Sequence, residues 1–146
     1  MRKHFFTSVT MLGLVLTLAV ASVHAQSRTK IEATIPFDFT AGDTNLQAGK
    51  YSIKFISHNA LLLRSADGKK SAIVVAPRAV SGDKDKPERI VFHCYGDRYF
   101  LAQVWMLRTD SGRELYPSNT ELRLAKALQI AKKGKSERVE ISATAR

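Results

Sequence analysis

Cys94 is the only cysteine in the chain, so no disulfide can form within it. Small exported domains often depend on such bridges; this chain must hold together by packing. Cys94 is expected as a small buried residue in a strand, with a thiol that pairs with another chain as the alternative. Four prolines and eight glycines are too few for a collagen-like or low-complexity polypeptide. Acidic residues are scarce, 13 against 23 Lys and Arg, which leaves a formal net charge of +10. Beyond residue 23 no apolar run reaches the ~20 residues that a membrane-spanning helix needs. There is no G-x-S-x-G nucleophile pattern, no glycine-rich phosphate loop and no dinucleotide fingerprint. HxH, HxxxH and CxxC metal spacings are missing too.

What is present begins with an address. Arg2, Lys3 and His4 precede an uncharged stretch over 5–23, and Val23, His24 and Ala25 end it with a small residue. This layout predicts a secretory signal peptide over 1–25, cut between Ala25 and Gln26. The densest apolar run, 9–23, is about 15 residues, short for an uncleaved anchor. The remaining 26–146 is expected to be one domain, periplasmic or extracellular. It keeps 21 basic and 13 acidic residues, a net +8.

The rest of the chain alternates. Ile31, Ala33, Ile35, Phe37 and Phe39 interleave with Glu32, Thr34, Pro36 and Asp38, which predicts a half-buried strand. Pro36 has no amide hydrogen, so it marks an edge strand or a bend where the chain changes sheets. Residues 41–49 read as a turn region, and strands follow over 50–55, 60–64 and 71–76. Asp67 and Gly68 supply a hairpin signal between the last two. A loop covers 82–87. The strongest hairpin joins 89–95 to 98–107 through Gly96 and Asp97; it carries Phe92, Tyr95, Tyr99, Phe100 and Trp105. Trp105 is expected in the core, while Tyr95 and Tyr99 suit either a core or a ligand groove. A turn at 110–112 and a brief pairing over 113–116 precede Pro117.

Then the period changes. Ser118 and Glu121 fit a capping box. Leu124, Leu128 and Ala131 follow at helical spacing, with Gly134 as a C-terminal cap. One helix over about 119–133 is predicted, followed by a closing strand through Val139, Ile141 and Ala143. Seven or eight strands and one late helix define a mainly β chain: an antiparallel β-sandwich or partly open barrel, with the C-terminal helix over one end or edge.

Ile35, Pro36, Phe37, Asp38 and Phe39, then Leu46, Gln47, Ala48, Gly49, Lys50 and Tyr51, resemble an IPFxF…LPAGxY pattern. That pattern belongs to small exported bacterial β-rich proteins that share a domain of unknown function. Gln47 stands where their pattern has proline. The resemblance implies a single β-rich domain behind an export segment; it assigns no activity and no functional residue.

Chemistry is thinly signalled. His58 and His93 are the only histidines left after 1–25 is removed. A small hydrolase or metal-dependent enzyme would have to use them, without motif support. No cofactor pattern is visible, and no nucleic-acid motif accompanies the basic charge. That charge is concentrated late: residues 123–146 carry seven basic and two acidic side chains. Arg123, Lys126, Lys132, Lys133 and Lys135 are therefore the candidate contact for an anionic envelope component. The leading expectation is a non-enzymatic envelope module with a binding or structural role; self-assembly through an exposed sheet edge is a further alternative.

Overall fold

The computed structural model describes residues 30–82, 85–106, 111–131 and 136–145. Alternation decides its first element. Strand β1 (Lys30–Ile35) turns Ile31, Ala33 and Ile35 inward. Pro36 then ends the ladder, and the chain crosses to a second sheet as β2 (Phe39–Ala41). The continuous strand expected over 31–39 is therefore two strands in different layers, with the proline at the bend. Residues 41–49, read as a turn, contain β3 (Thr44–Leu46), which closes a small hairpin on β2. The chain returns to the first sheet as β4 (Gly49–Phe55) and continues through β5 (Ala60–Ser65) and β6 (Ser71–Val75). Gly68, at φ 71°, takes the left-handed turn position in the β5–β6 hairpin.

Four further strands belong to the second sheet: β7 (Arg78–Ser81), β8 (Arg89–Tyr95), β9 (Arg98–Trp105) and β10 (Ser111–Glu114). Helix α1 (Asn119–Ile130), β11 (Glu137–Ser142) and β12 (Thr144–Ala145) complete the order. The first sheet runs β12-β1-β4-β5-β6; the second runs β11-β8-β9-β10-β7, with the β2–β3 hairpin attached to β9. Strand β9 shares one edge between two neighbours, pairing in parallel with β2 at Tyr99 and Phe100 and antiparallel with β10 at Gln103 and Val104.

Among the described residues the fold is thus a mainly β sandwich with one helix, as expected, but with twelve strands rather than seven or eight. Pro77 and the largely exposed side chains of β7 hid that strand. The turn expected at 110–112 is also revised: Ser111 and Gly112 lie inside β10, and Asp110 lies outside the described residues.

Between the sheets Ile31, Ile35, Ile53, Leu61 and Leu63 meet Ile90, Phe92, Leu101 and Val104, all fully buried or nearly so. Phe92 is the hub, with Phe37 and Phe39 set edge-on to it at 5.2 and 5.4 Å. Burying one such ring stabilises the fold by about 1.5–3 kcal/mol. Cys94 is buried and its thiol donates to the Gly96 carbonyl at 3.2 Å.

Trp105 is buried, 6% exposed, but it lies outside this inter-sheet cluster. Val104 points into the sandwich, so alternation sends Trp105 to the opposite face of the second sheet. There the Arg89 guanidinium stacks on the indole, 4.3 Å from its centre. The ring also lies across Gly112, where an added Cβ would come within 2.6 Å of it; Gly82 is crowded by the same ring. Gly112→Ala must displace the indole and should cost roughly 1–3 kcal/mol. Because Trp105 is the single tryptophan, its fluorescence and a urea melt read both effects together; an unchanged spectrum and midpoint would refute this packing.

Candidate functional site

Two surface regions gather polar chemistry. The first lies where α1 meets the second sheet. Ser118 caps the helix, its hydroxyl accepting the Glu121 N–H at 3.2 Å. The expected reciprocal bond is replaced by another. The Glu121 carboxylate does not turn back to the cap; it reaches the sheet, 2.8 Å from His93 Nδ1 and 3.3 Å from the Tyr95 hydroxyl. Glu121 is 4% exposed and is the only buried residue of the helix. Leu124, Ala125 and Leu128 are half-buried, while Leu122, Ile130 and Ala131 are exposed. The helix is therefore fastened by a carboxylate at its first turn rather than by an apolar stripe.

This arrangement orients an imidazole, but its setting is that of an anchor. His58 lies elsewhere, in the exposed bend between β4 and β5 of the first sheet. His93 thus lies on a strand of the second sheet and His58 in a bend that joins two strands of the first. Among the described residues no group of three or more His, Cys, Asp and Glu is arranged to hold a metal ion. Tyr95 feels the anchor: burial, then the Glu121 charge, raise its pKa above the ordinary 10.0, against an opposing bond with Ser136. Tyr99 also stays half-buried, stacked on Phe37 at 3.8 Å between ring centres.

The second region is the outer face of the first sheet. Alternation that sends Ile31, Ala33, Tyr51, Ile53, Leu61 and Leu63 inward sends Lys30, Glu32, Lys50, Ser52, Lys54 and Arg64 outward. Register sets Lys30 opposite Lys54, and Ser52 between Glu32 and Arg64. Lys69 and Lys70 extend the positive charge onto the β5–β6 hairpin. Glu32 is the one carboxylate of the three strands' outer positions, and it is held by Lys30 at 2.9 Å and Lys50 at 3.2 Å. Asp67 is occupied within its own turn: the Ser65 hydroxyl donates to it at 2.5 Å and the Lys69 N–H at 3.1 Å, and these bonds lower its pKa. Two lysines directly opposite each other in adjacent strands repel, an effect that Glu32 offsets at Lys30. An open cleft of about 510 Å³ sits in it, lined by Lys30, Glu32, Lys50, Arg64 and Asp67 among others.

Of the basic residues singled out in the sequence, Arg123 and Lys126 are exposed on α1. Lys132, Lys133 and Lys135 lie outside the described residues, as do Gly134 and residues 1–25. The helix reaches Ile130, three residues short of the expected end, with Ala131 as its C-cap. The sheet-face cations were not singled out, because no local window contains them; the signal was the polar half of each alternating strand, read together.

The quoted pattern residues form a clamp at the crossing between sheets. Asp38 Oδ1 accepts the Ala48 N–H at 2.7 Å, and the Tyr51 hydroxyl donates to the Gln47 carbonyl at 2.7 Å. Phe39 meets Tyr51 edge-on at 5.3 Å. No helix among the described residues is long and apolar enough to cross a membrane. No family model, curated protein or solved structure matches the chain.

Replacing Glu121 with Ala removes the partner of His93 Nδ1 and one of the two partners of the Tyr95 hydroxyl, and loosens the helix start. A loss of roughly 1–3 kcal/mol is expected in a denaturant melt. Glu121→Gln isolates the charge. A raised phenol pKa favours the fold below the ordinary value, and that contribution disappears as pH climbs through the shifted one. Without the carboxylate, the Tyr95 ionisation should fall toward 10.0, read as tyrosinate absorbance against Tyr95→Phe; an unmoved titration would contradict the assignment.

Proposed function

We propose that this protein is an exported, non-enzymatic β-sandwich module of the cell envelope that holds anionic polymers on a basic surface. One observation carries the reading: Lys30, Lys50, Lys54 and Arg64 project from one sheet face, with Lys69 and Lys70 beside them. Glu32 and Asp67 are already engaged there. A flat array of flexible cations around an open cleft suits a repeating phosphate- or carboxylate-bearing chain. Such a chain needs charge density along its length rather than a deep pocket. The C-terminal region, from Arg123 and Lys126 through Lys132, Lys133 and Lys135, is a second basic contact in this proposal. The pattern that resembles exported β-rich proteins fits the same reading, since its residues serve the fold and leave the surface free to vary.

The alternative of a hydrolase or metal enzyme built on His58 and His93 draws no support from their placement, one in an exposed bend of the first sheet and the other on a strand of the second. A polygalacturonate column tests the proposal. Reversing Lys54, Arg64, Lys69 and Lys70 to Glu should move elution to clearly lower salt, since screening acts on the same attraction. Reversing Lys132, Lys133 and Lys135 weighs the C-terminal contact in the same way. If both variants elute with the parent protein, the polymer-binding reading fails.

A further inference from the structure

The basic face has an apolar end. Among the described residues strand β6 is an edge of the first sheet, pairing only with β5. Its outward residues are Ser71, Ile73, 66% exposed, and Val75, 57% exposed. Register places Ile73 beside Leu62, and Leu62 beside Lys54 and then Lys30. Val75 lies opposite Ala60, whose carbonyl accepts the N–H of Ile56, itself 46% exposed. The row across the sheet thus reads Lys30, Lys54, Leu62, Ile73. These aliphatics form a contiguous group rather than the scattered exposed residues common on any surface.

We infer that this face docks on an anionic lipid bilayer, with Ile73 and Val75 entering the headgroup–acyl boundary and Lys54, Arg64, Lys30 and Lys50 lying in the phosphate plane. The inference rests on the preceding reading, that this face meets anions, and names the anion's source. A soluble polysaccharide offers charge but nothing for three exposed aliphatic side chains to enter. A bilayer offers both within a few ångströms of each other. Long lysine and arginine stems suit the arrangement, since they run along apolar surface while the charged head stays at the interface. Among the described residues Lys54 and Arg64 form no ion pair, whereas Lys30 and Lys50 are paired with Glu32. Among the described residues Asp67 and Glu32 are the carboxylates of the cleft on this face. Asp67 is tied to Ser65 and the Lys69 N–H, and Glu32 to two lysines.

Vesicle flotation tests the inference, using phosphatidylcholine vesicles with and without phosphatidylglycerol. The protein is used in the form its expressing cell delivers, so residues 1–25, where retained, contribute equally to every variant. Trp105 fluorescence verifies that each variant is folded. The parent should float with the anionic vesicles and not with neutral ones. Lys54→Glu with Arg64→Glu should weaken binding roughly a hundredfold, and Ile73→Ser with Val75→Ser roughly tenfold. If the serine variant floats as the parent does while charge reversal abolishes flotation, the lipid docking is overturned and the polymer reading stands. If neither variant changes flotation, or the parent does not float, the inference is again overturned, and retention on polygalacturonate judges the earlier reading separately. Should the serine variant alter only the sedimentation mass, a second copy of the chain covers β6, and the bilayer is not its partner.

Discussion

The hydrogen bond from the Ala48 N–H to the Asp38 carboxylate holds the place on which both sheets depend. The chain leaves the first sheet at Pro36, makes the β2–β3 hairpin on the second, and returns at Gly49. Asp38 and Ala48 stand at the outward and return crossings, so one bond ties the two together. The Tyr51 hydroxyl fixes the return from the other side through the Gln47 carbonyl. Phe37, lying between the two sheets' strands in sequence, stacks on Tyr99 and touches Phe92 edge-on. Polar bonds thus set where the chain crosses, and the aromatic rings fill the space the crossing opens.

The two faces of the second sheet are finished differently. Its inner face is an ordinary apolar core. Its outer face is a polar relay: Arg138 and Trp105 both donate to the Gln103 side-chain oxygen, at 2.9 and 3.1 Å, and Gln103 donates to Glu114 at 3.2 Å. Arg78 closes the relay on Glu114 at 3.1 Å. Side chains from β11, β9, β10 and β7 are thereby linked across the sheet. Such a layer satisfies polar side chains through shared partners, Gln103 and Glu114 each serving more than one neighbour. Among the described residues the first sheet has no comparable network on its outer face, where Lys50, Lys54 and Arg64 are exposed.

Much of the fold was legible because period-two alternation is local. The β8–β9 hairpin follows from its apolar periodicity and the Gly96–Asp97 turn, with β8 at the expected residues. Pro36 signalled a change of sheet through its missing amide hydrogen, although alternation ran on past it and suggested one strand. Glu121 shows the opposite case. Ser118 and Glu121 were rightly spaced for a cap, but local spacing cannot reveal that His93 and Tyr95, on a strand 26 to 28 residues earlier, would compete for the carboxylate. The basic face was hidden for the same reason. Its charges are dispersed between positions 30 and 70, and only strand pairing assembles them, whereas the dense run after Arg123 stands out in any window.

Strand β12 (Thr144–Ala145) lies against β1 (Lys30–Ile35), joining Ile31 to Ala145 and Glu32 to Thr144. The outermost pairing of the first sheet therefore joins the first described strand to the last. A nascent polypeptide cannot finish that sheet until residues 144–145 have left the ribosomal exit tunnel. Contacts of such long sequence separation also slow folding. The first sheet thus stays incomplete until that distant segment emerges, and until then the edge of β1 is available to chaperones or to misassociation.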